Sequence, residues 1–146
     1  MNIVLQKINS CVLSVDNVEK ANVGFGLIIL IGVHKNDSFE TADFLAKKIS
    51  KLRIFKDENN KINKNILDVN GSALVVSNFT LLANTQTGTR PDFSQSGDPT
   101  RAREIYEYFI EKIKEYGVKE VQHGCFGEHM HLNANLDGPY TIFLNK

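Results

Sequence analysis

Polar and apolar positions alternate over residues 2–15, with Ile3, Leu5, Cys11, Leu13 and Val15 in one phase and Gln6, Ser10 and Ser14 in the other. A period of two predicts half-buried antiparallel strand pairing. Gly24 and Gly26 bracket Phe25, and the unbroken apolar run at 27–31 predicts a strand buried on both faces, closed by Gly32. Over residues 38–51 the period becomes helical. Ala42, Leu45, Ile49 and Leu52 form one stripe, Lys47, Lys48 and Lys51 fall elsewhere, and Asp37 or Ser38 stands where an N-cap belongs. Residues 53–55 predict a short strand, and Asp57-Glu58-Asn59-Asn60 a turn in which Asn accommodates left-handed backbone angles.

Residues 69–89 carry no charge, in a chain where 23% of residues are charged, so the run predicts burial. Its glycines, serines and asparagines leave no block of about 18 apolar residues, which excludes a membrane helix. The reading is a buried strand at 73–76 that runs into Ser77-Asn78-Phe79-Thr80, with Ser77 and Phe79 facing one way and Asn78 and Thr80 the other. Hydroxyls and amides on an apolar strand must be hydrogen-bonded or face a cavity. Residues 83–99 lack periodicity and hold Gly88, Pro91, Gly97 and Pro99, and loops of that length are more often functional than idle. Asp98-Pro99 gives a helix start, Ala102, Ile105, Phe109, Ile113 and Tyr116 its core face, and Gly117 its stop. Short strands are predicted at 118–122, 130–134 and 140–144, the last two separated by a Gly138-Pro139 turn. The order of elements makes residues 1–146 a single mixed α/β domain.

The 17 Lys and Arg balance 17 Asp and Glu, which argues against coating long stretches of nucleic acid. Locally, Lys47, Lys48, Lys51, Arg53, Lys56, Lys61 and Lys64 outnumber Asp57 and Glu58, so a compact anionic contact is compatible with that run, as is a solvated helix face. Met1 leads directly into strand alternation, so no secretory leader is expected, and Cys11 and Cys125 lie far apart. Two reduced thiols in a cytoplasmic protein is the economical expectation.

Several separated pieces, in order, resemble the D-aminoacyl-tRNA deacylase (D-tyrosyl-tRNA deacylase) family nearly end to end. They are Gly24-Phe25-Gly26-Leu27, Leu30-Ile31-Gly32-Val33, Lys51-Leu52-Arg53-Ile54-Phe55 with Asp57-Glu58-Asn59, and Leu74 through Leu81. Arg90-Pro91-Asp92-Phe93-Ser94, Phe126-Gly127 with Met130, and Asp137-Gly138-Pro139-Tyr140-Thr141 complete them. The resemblance implies a largely antiparallel, barrel-like sheet with two main helices, a homodimer, and hydrolysis of the ester joining a D-amino acid, or glycine, to the 3′-terminal adenosine of tRNA. It implies active sites at the subunit interface, no metal or other cofactor, and assistance from the terminal ribose 2′-hydroxyl. Two family motifs, one opening with Ser-Gln and closing with Thr and the other of the form Asn-x-Gly-Pro-x-Thr, correspond to Ser77-Asn78-Phe79-Thr80 and Leu136-Asp137-Gly138-Pro139-Tyr140-Thr141. Gly138-Pro139, with a cis bond, is then expected to enter the partner's pocket and fill the space of an L side chain. Backbone amides near Phe79 would hold the oxyanion beside Thr80, and Phe126 and Met130 would pack on the terminal adenine.

Three positions depart from the family pattern. Asn78 replaces Gln, Leu136 replaces Asn, and Lys7 stands for an Arg credited with holding the Gly-Pro loop, whose bidentate contact lysine cannot copy. Other readings stay open. His123, Cys125, His129 and His131 fall within nine residues and have the residue types of a hydrolytic zinc site. A tRNA-binding homologue with failed catalysis fits the departures. Thr80 as a nucleophile lacks a visible activating base. Arg90, Pro91 and Phe93 fit a pocket entrance or a loop held by its own packing.

Overall fold

The structure, a computed structural model, describes residues 1–146. Its chain order is β1 (Asn2–Val15), β2 (Val18–Val23), β3 (Gly26–Gly32), α1 (Phe39–Lys51), β4 (Phe55–Lys56), β5 (Ile62–Lys64), β6 (Ser72–Ser77), a 3₁₀ turn (Phe79–Leu82), α2 (Pro99–Glu115), β7 (Val121–His123) and β8 (His131–Asn145). The main sheet runs β2-β1-β3-β6-β7, with β8 along the other side of β1, and β4 and β5 form a separate hairpin. The pairs β1–β2, β1–β3 and β1–β8 are antiparallel, while β3–β6 and β6–β7 are parallel.

The sheet curls until β2 and β7 meet, and a side chain closes the seam. The Gln122 amide donates to Asn22 O and accepts from Asn22 N–H, both at 2.8 Å. One carboxamide thus supplies the donor and acceptor that a neighbouring strand would offer. The result is a mixed α/β fold with a nearly closed, barrel-like sheet and two helices.

Both faces of the sheet bury apolar side chains. Leu27, Ile29 and Ile31 of β3 and Ala73 and Val75 of β6 pack under the two helices. Ile28, Leu74 and Val76, pointing the other way, fill the barrel interior. The five β1 residues read as one face are all buried, but they are divided. Ile3 and Leu5 belong to the helix-side core, and Cys11, Leu13 and Val15 to the interior. Pairing with β8 slips between Gln6 and Ile8 and again between Ile8 and Ser10, and such irregularities shift the alternation.

The helix ends follow local chemistry. Ser38 Oγ accepts from Thr41 N–H, and the Asp98 carboxylate accepts from Thr100 and Arg101 N–H with Pro99 in the first turn. Two expectations fail. The neutral run is buried only at residues 71–76 and Leu82, while 84–89 is exposed. The two strands predicted at 130–134 and 140–144 are one, β8, interrupted by an outward excursion rather than ended by a turn. Gln6 pairs with Thr141 and Ile8 with Leu136, so one residue of β1 faces four of β8.

Candidate active site

The parallel strands β3 and β6 point their C-terminal ends at a cavity of about 490 Å³. At the end of β6 the chain does not continue as a strand. Asn78 N–H donates to Ile31 O at 2.7 Å, and the backbone then winds into the 3₁₀ turn. Ser77, Asn78, Phe79 and Thr80 therefore wrap the rim of one cavity, and the expected alternation of faces does not occur. The first N–H groups of that turn, on Phe79 and Thr80, have no intrahelical acceptor, and the Asn78 side chain does not cap them. Instead Asn78 Oδ1 accepts a hydrogen bond from the Thr80 hydroxyl. The shorter amide thus fixes the threonine rotor and leaves its own NH₂ available.

The opposite wall holds Phe126 and Met130, together with Glu128 and His129. Two α2 side chains set the Phe126 ring. The Arg103 guanidinium lies 5.2 Å over it and donates to Phe126 O at 3.4 Å, and the Tyr106 ring sits 5.7 Å away. Tyr106 is buried, with its hydroxyl donating to Val75 O at 2.8 Å. Burial, then the nearby Cys125, pushes its phenol well above the ordinary range, so it stays a donor. Neither Arg103 nor Tyr106 was legible as a site residue, because both look like ordinary helix positions. Tyr106→Phe should cost about 1 kcal/mol and lower the melting temperature by about 2–4 °C. Val75 O keeps its second bond, from Gly124 N–H at 2.9 Å. A drop beyond ~10 °C in a thermal melt would mean that second bond does not hold the strand.

The histidine–cysteine cluster comes apart. His123 and Cys125 line a second cavity of about 580 Å³ across Phe126, whereas His129 lines the first. His129 and His131 stack edge to face at 5.0 Å, and His123 Nδ1 lies 2.9 Å from Gly124 O. No three such side chains converge in metal-holding geometry. Nearness in sequence is undone by the turn at Gly124–Glu128.

Gly138 and Pro139 are not at this cavity. They form the tip of the β8 excursion, joined by a cis peptide. Lys7, buried, faces the excursion and pairs with Asp137 at 2.9 Å, and its ammonium lies 5.4 Å from the Phe55 and Tyr140 rings. The lysine therefore holds the excursion through charge and ring faces instead of a guanidinium fork. Leu136, opposite Ile8, is 42% exposed. Thr80 sits by the N-terminal end of β1, where Asn2 Nδ2 donates to Leu81 O at 2.9 Å. Five residue steps of strand, about 17 Å, separate Asn2 from Lys7. Within one chain the two motifs do not meet.

The basic run lies on α1 and the β4–β5 hairpin, outside the cavity wall. Lys64 is paired with Glu58, whereas Lys47, Lys48, Lys51 and Lys56 are exposed and lack carboxylate partners.

A family model described as D-Tyr-tRNA(Tyr) deacylase matches residues 4–145. A Thermosipho melanesiensis protein called D-aminoacyl-tRNA deacylase is 43% identical, covering 100% of this chain and 97% of its own length. A Deinococcus deserti protein of the same name is 44% identical, with 99% of each chain covered. A solved structure described as c-Myc DNA Unwinding Element Binding Protein superposes with a TM-score of 0.94 at 30% identity, covering 100% of this chain and 99% of that one. Another, described as a probable eukaryotic D-amino acid tRNA deacylase, shares the fold, with a TM-score of 0.85 at 18% identity over 98% and 97% of the two chains.

Proposed function

Because the chain belongs to the D-Tyr-tRNA(Tyr) deacylase family, we propose that its cavity receives the 3′-terminal aminoacyl-adenosine of tRNA and selects the D form for hydrolysis. The chain is a hydrolase acting on an ester bond. Water adds to the ester carbonyl carbon, the carbonyl oxygen becomes an oxyanion, and the bond to the ribose 3′ oxygen then breaks. A free amino acid and a tRNA with its 3′-hydroxyl restored are the products. The free N–H groups of Phe79 and Thr80 are the donors for the oxyanion, a role in which preorganised backbone amides are effective. Phe126 and Met130 flank the adenine, and the terminal 2′-hydroxyl assists proton movement.

The observation that carries this reading is the shared wall. Ser77 through Thr80 and Phe126 with Met130 come from distant parts of the chain and line one cavity. Gly138-Pro139 then acts from a second copy. In support, β8 pairs only with β1 and its other edge is open, and Leu132, Leu136 and Phe143 are exposed on it. Long apolar edge strands are ordinarily covered. The two carbonyls of the tip would occupy the volume an L side chain needs, so selection ignores side-chain identity. The workplace is the cytoplasm, where charged tRNA is found; no helix is long and apolar enough to cross a membrane.

Deacylation of D-Tyr-tRNA, Gly-tRNA and L-Tyr-tRNA by the purified, chelator-treated protein tests the whole reading. Fast, slower and negligible rates are expected in that order. Equal binding of the D and L esters without turnover would make the chain a binding protein instead.

Thr80→Ala removes one hydroxyl and its bond to Asn78. A fall in kcat of about tenfold is expected, the worth of one such bond, with KM little changed. Turnover that survives the substitution at that level excludes Thr80 as a covalent nucleophile. Reversing Lys48, Lys51 and Lys56 to Glu should raise KM for charged tRNA by about tenfold at low salt, since exposed unpaired lysines suit acceptor-stem phosphates. An unchanged KM removes that contact from the scheme.

A further inference from the structure

We propose that Phe79, Phe93 and Arg90 form a platform for the nucleotide preceding the terminal adenosine, which reaches the enzyme as single-stranded RNA. This rests on the cavity taking the terminal aminoacyl-adenosine. The substrate is a polymer, so its chain must leave the cavity across a lip, and the loop at residues 83–97 supplies one.

Phe79 lines the cavity, yet 57% of its surface is exposed. Its ring meets Phe93 edge to face, with centroids 5.0 Å apart and planes at 69°. A single exposed Phe needs no explanation. An aromatic pair continuous with a substrate cavity has the form of a stacking surface, where bases of any identity gain by contact.

The loop is built to hold that pair. Asn84 and Asp92 exchange two backbone hydrogen bonds, of 2.8 and 2.9 Å, which pinch off an exposed tip over residues 85–91. Its base is tied to the chain after β3 by Lys35 N–H to Gln95 O at 3.0 Å and Gly97 N–H to Val33 O at 2.9 Å.

Charge identifies the occupant. Arg90 is the only cation between residues 69 and 97, and it has no carboxylate partner. The only acid there, Asp92, is engaged by Ser94, accepting from its N–H at 2.9 Å and its hydroxyl at 2.8 Å. The Ser94 hydroxyl, then its amide, holds the Asp92 carboxyl below the ordinary carboxylate range. Three threonines, Gln86, Gly88 and Pro91 make up the rest of the tip. One free guanidinium, neutral hydrogen-bonding groups and an aromatic pair match one phosphate, a ribose and a base.

The test compares two esters, D-tyrosyl adenosine and the D-tyrosyl ester of the dinucleotide cytidylyl-adenosine. The parent protein should hydrolyse the dinucleotide ester with a kcat/KM about tenfold higher. Phe93→Ala should bring the ratio of the two values close to one. Arg90→Ala should lower the ratio severalfold and flatten its dependence on salt, leaving the adenosine ester hydrolysed as by the parent. Equal rates for the two esters in the parent, or a ratio that neither variant alters, would overturn the platform while leaving the deacylase reading intact. Sedimentation of Phe93→Ala as a smaller species than the parent would also overturn it, by making the aromatic pair a subunit contact. No hydrolysis of either ester would overturn the deacylase reading and the platform with it.

Discussion

Gly26→Ala should lower the melting temperature by about 6–12 °C. Gly26 opens β3 at the point where that strand lies against both Ile8 of β1 and Ser72 of β6. A Cβ there would stand 1.9 Å from Ser72 O and 2.6 Å from Ser72 N, and both obstacles are backbone. A flexible neighbour could rotate away, but a strand core cannot. Ser72 N–H is bonded to Phe25 O at 2.8 Å, and its hydroxyl lies 3.1 Å from Gly24 O and from Phe25 O. Making room would break this joint between β3 and β6, and overpacking of that kind costs roughly 3 kcal/mol or more. In a chain near 150 residues each kcal/mol is worth about 2–4 °C. Thermal and urea melts followed by circular dichroism would measure it. A melting temperature within 2 °C of the parent would mean that the close approach at Ser72 is not part of the folded state.

The second large effect is expected on selectivity rather than on stability. Gly138 has φ +130, and a Cβ on it would lie 2.6 Å from Tyr140 N. Alanine strains that backbone by about 1–3 kcal/mol, and the exposed excursion can relieve the strain by moving. The tip then points elsewhere. Displacing a positioning group by about 1 Å commonly costs on the order of a hundredfold. Gly138→Ala should therefore narrow the D-over-L rate ratio by about ten- to a hundredfold with little change in melting temperature. If the tip acts across a subunit boundary, mixing Gly138→Ala with Thr80→Ala subunits should restore selective turnover in a fraction of sites, because one site of each hybrid is intact. Unchanged selectivity in Gly138→Ala, measured on D- and L-Tyr-tRNA, would remove the tip from chiral choice.

What the sequence revealed depended on how local the cause was. Ser38, Asp98-Pro99 and Gly117 act within one turn of the helices they bound, and those ends were read correctly. The run at 27–31 was read correctly because β3 is buried on both faces whatever its neighbours do. The division of β1 between two cores was not legible. It follows from slips in pairing with a strand more than 120 residues away. Gly138-Pro139 has the local grammar of a turn, yet β8 resumes pairing with β1 beyond it, so the partner strand decides. Residues 84–89 are neutral but exposed, which shows that lack of charge is a weak sign of burial when Thr, Asn and Gln are present. Both walls of the cavity are lined by residues that the family resemblance singles out. The support of Phe126 by Arg103 and Tyr106 was not legible, and neither was the distance between the two motifs in one chain.

Closing the seam between β2 and β7 with a single amide has a geometric consequence. Elsewhere in the sheet a one-residue slip would turn every side chain of a strand inside out. Across this gap the Gln122 carboxamide is a hinge pin rather than a zip, so the bordering strands are not obliged to keep step. An insertion or deletion in either bordering strand therefore need not turn that strand inside out, provided Asn22 and Gln122 still face each other.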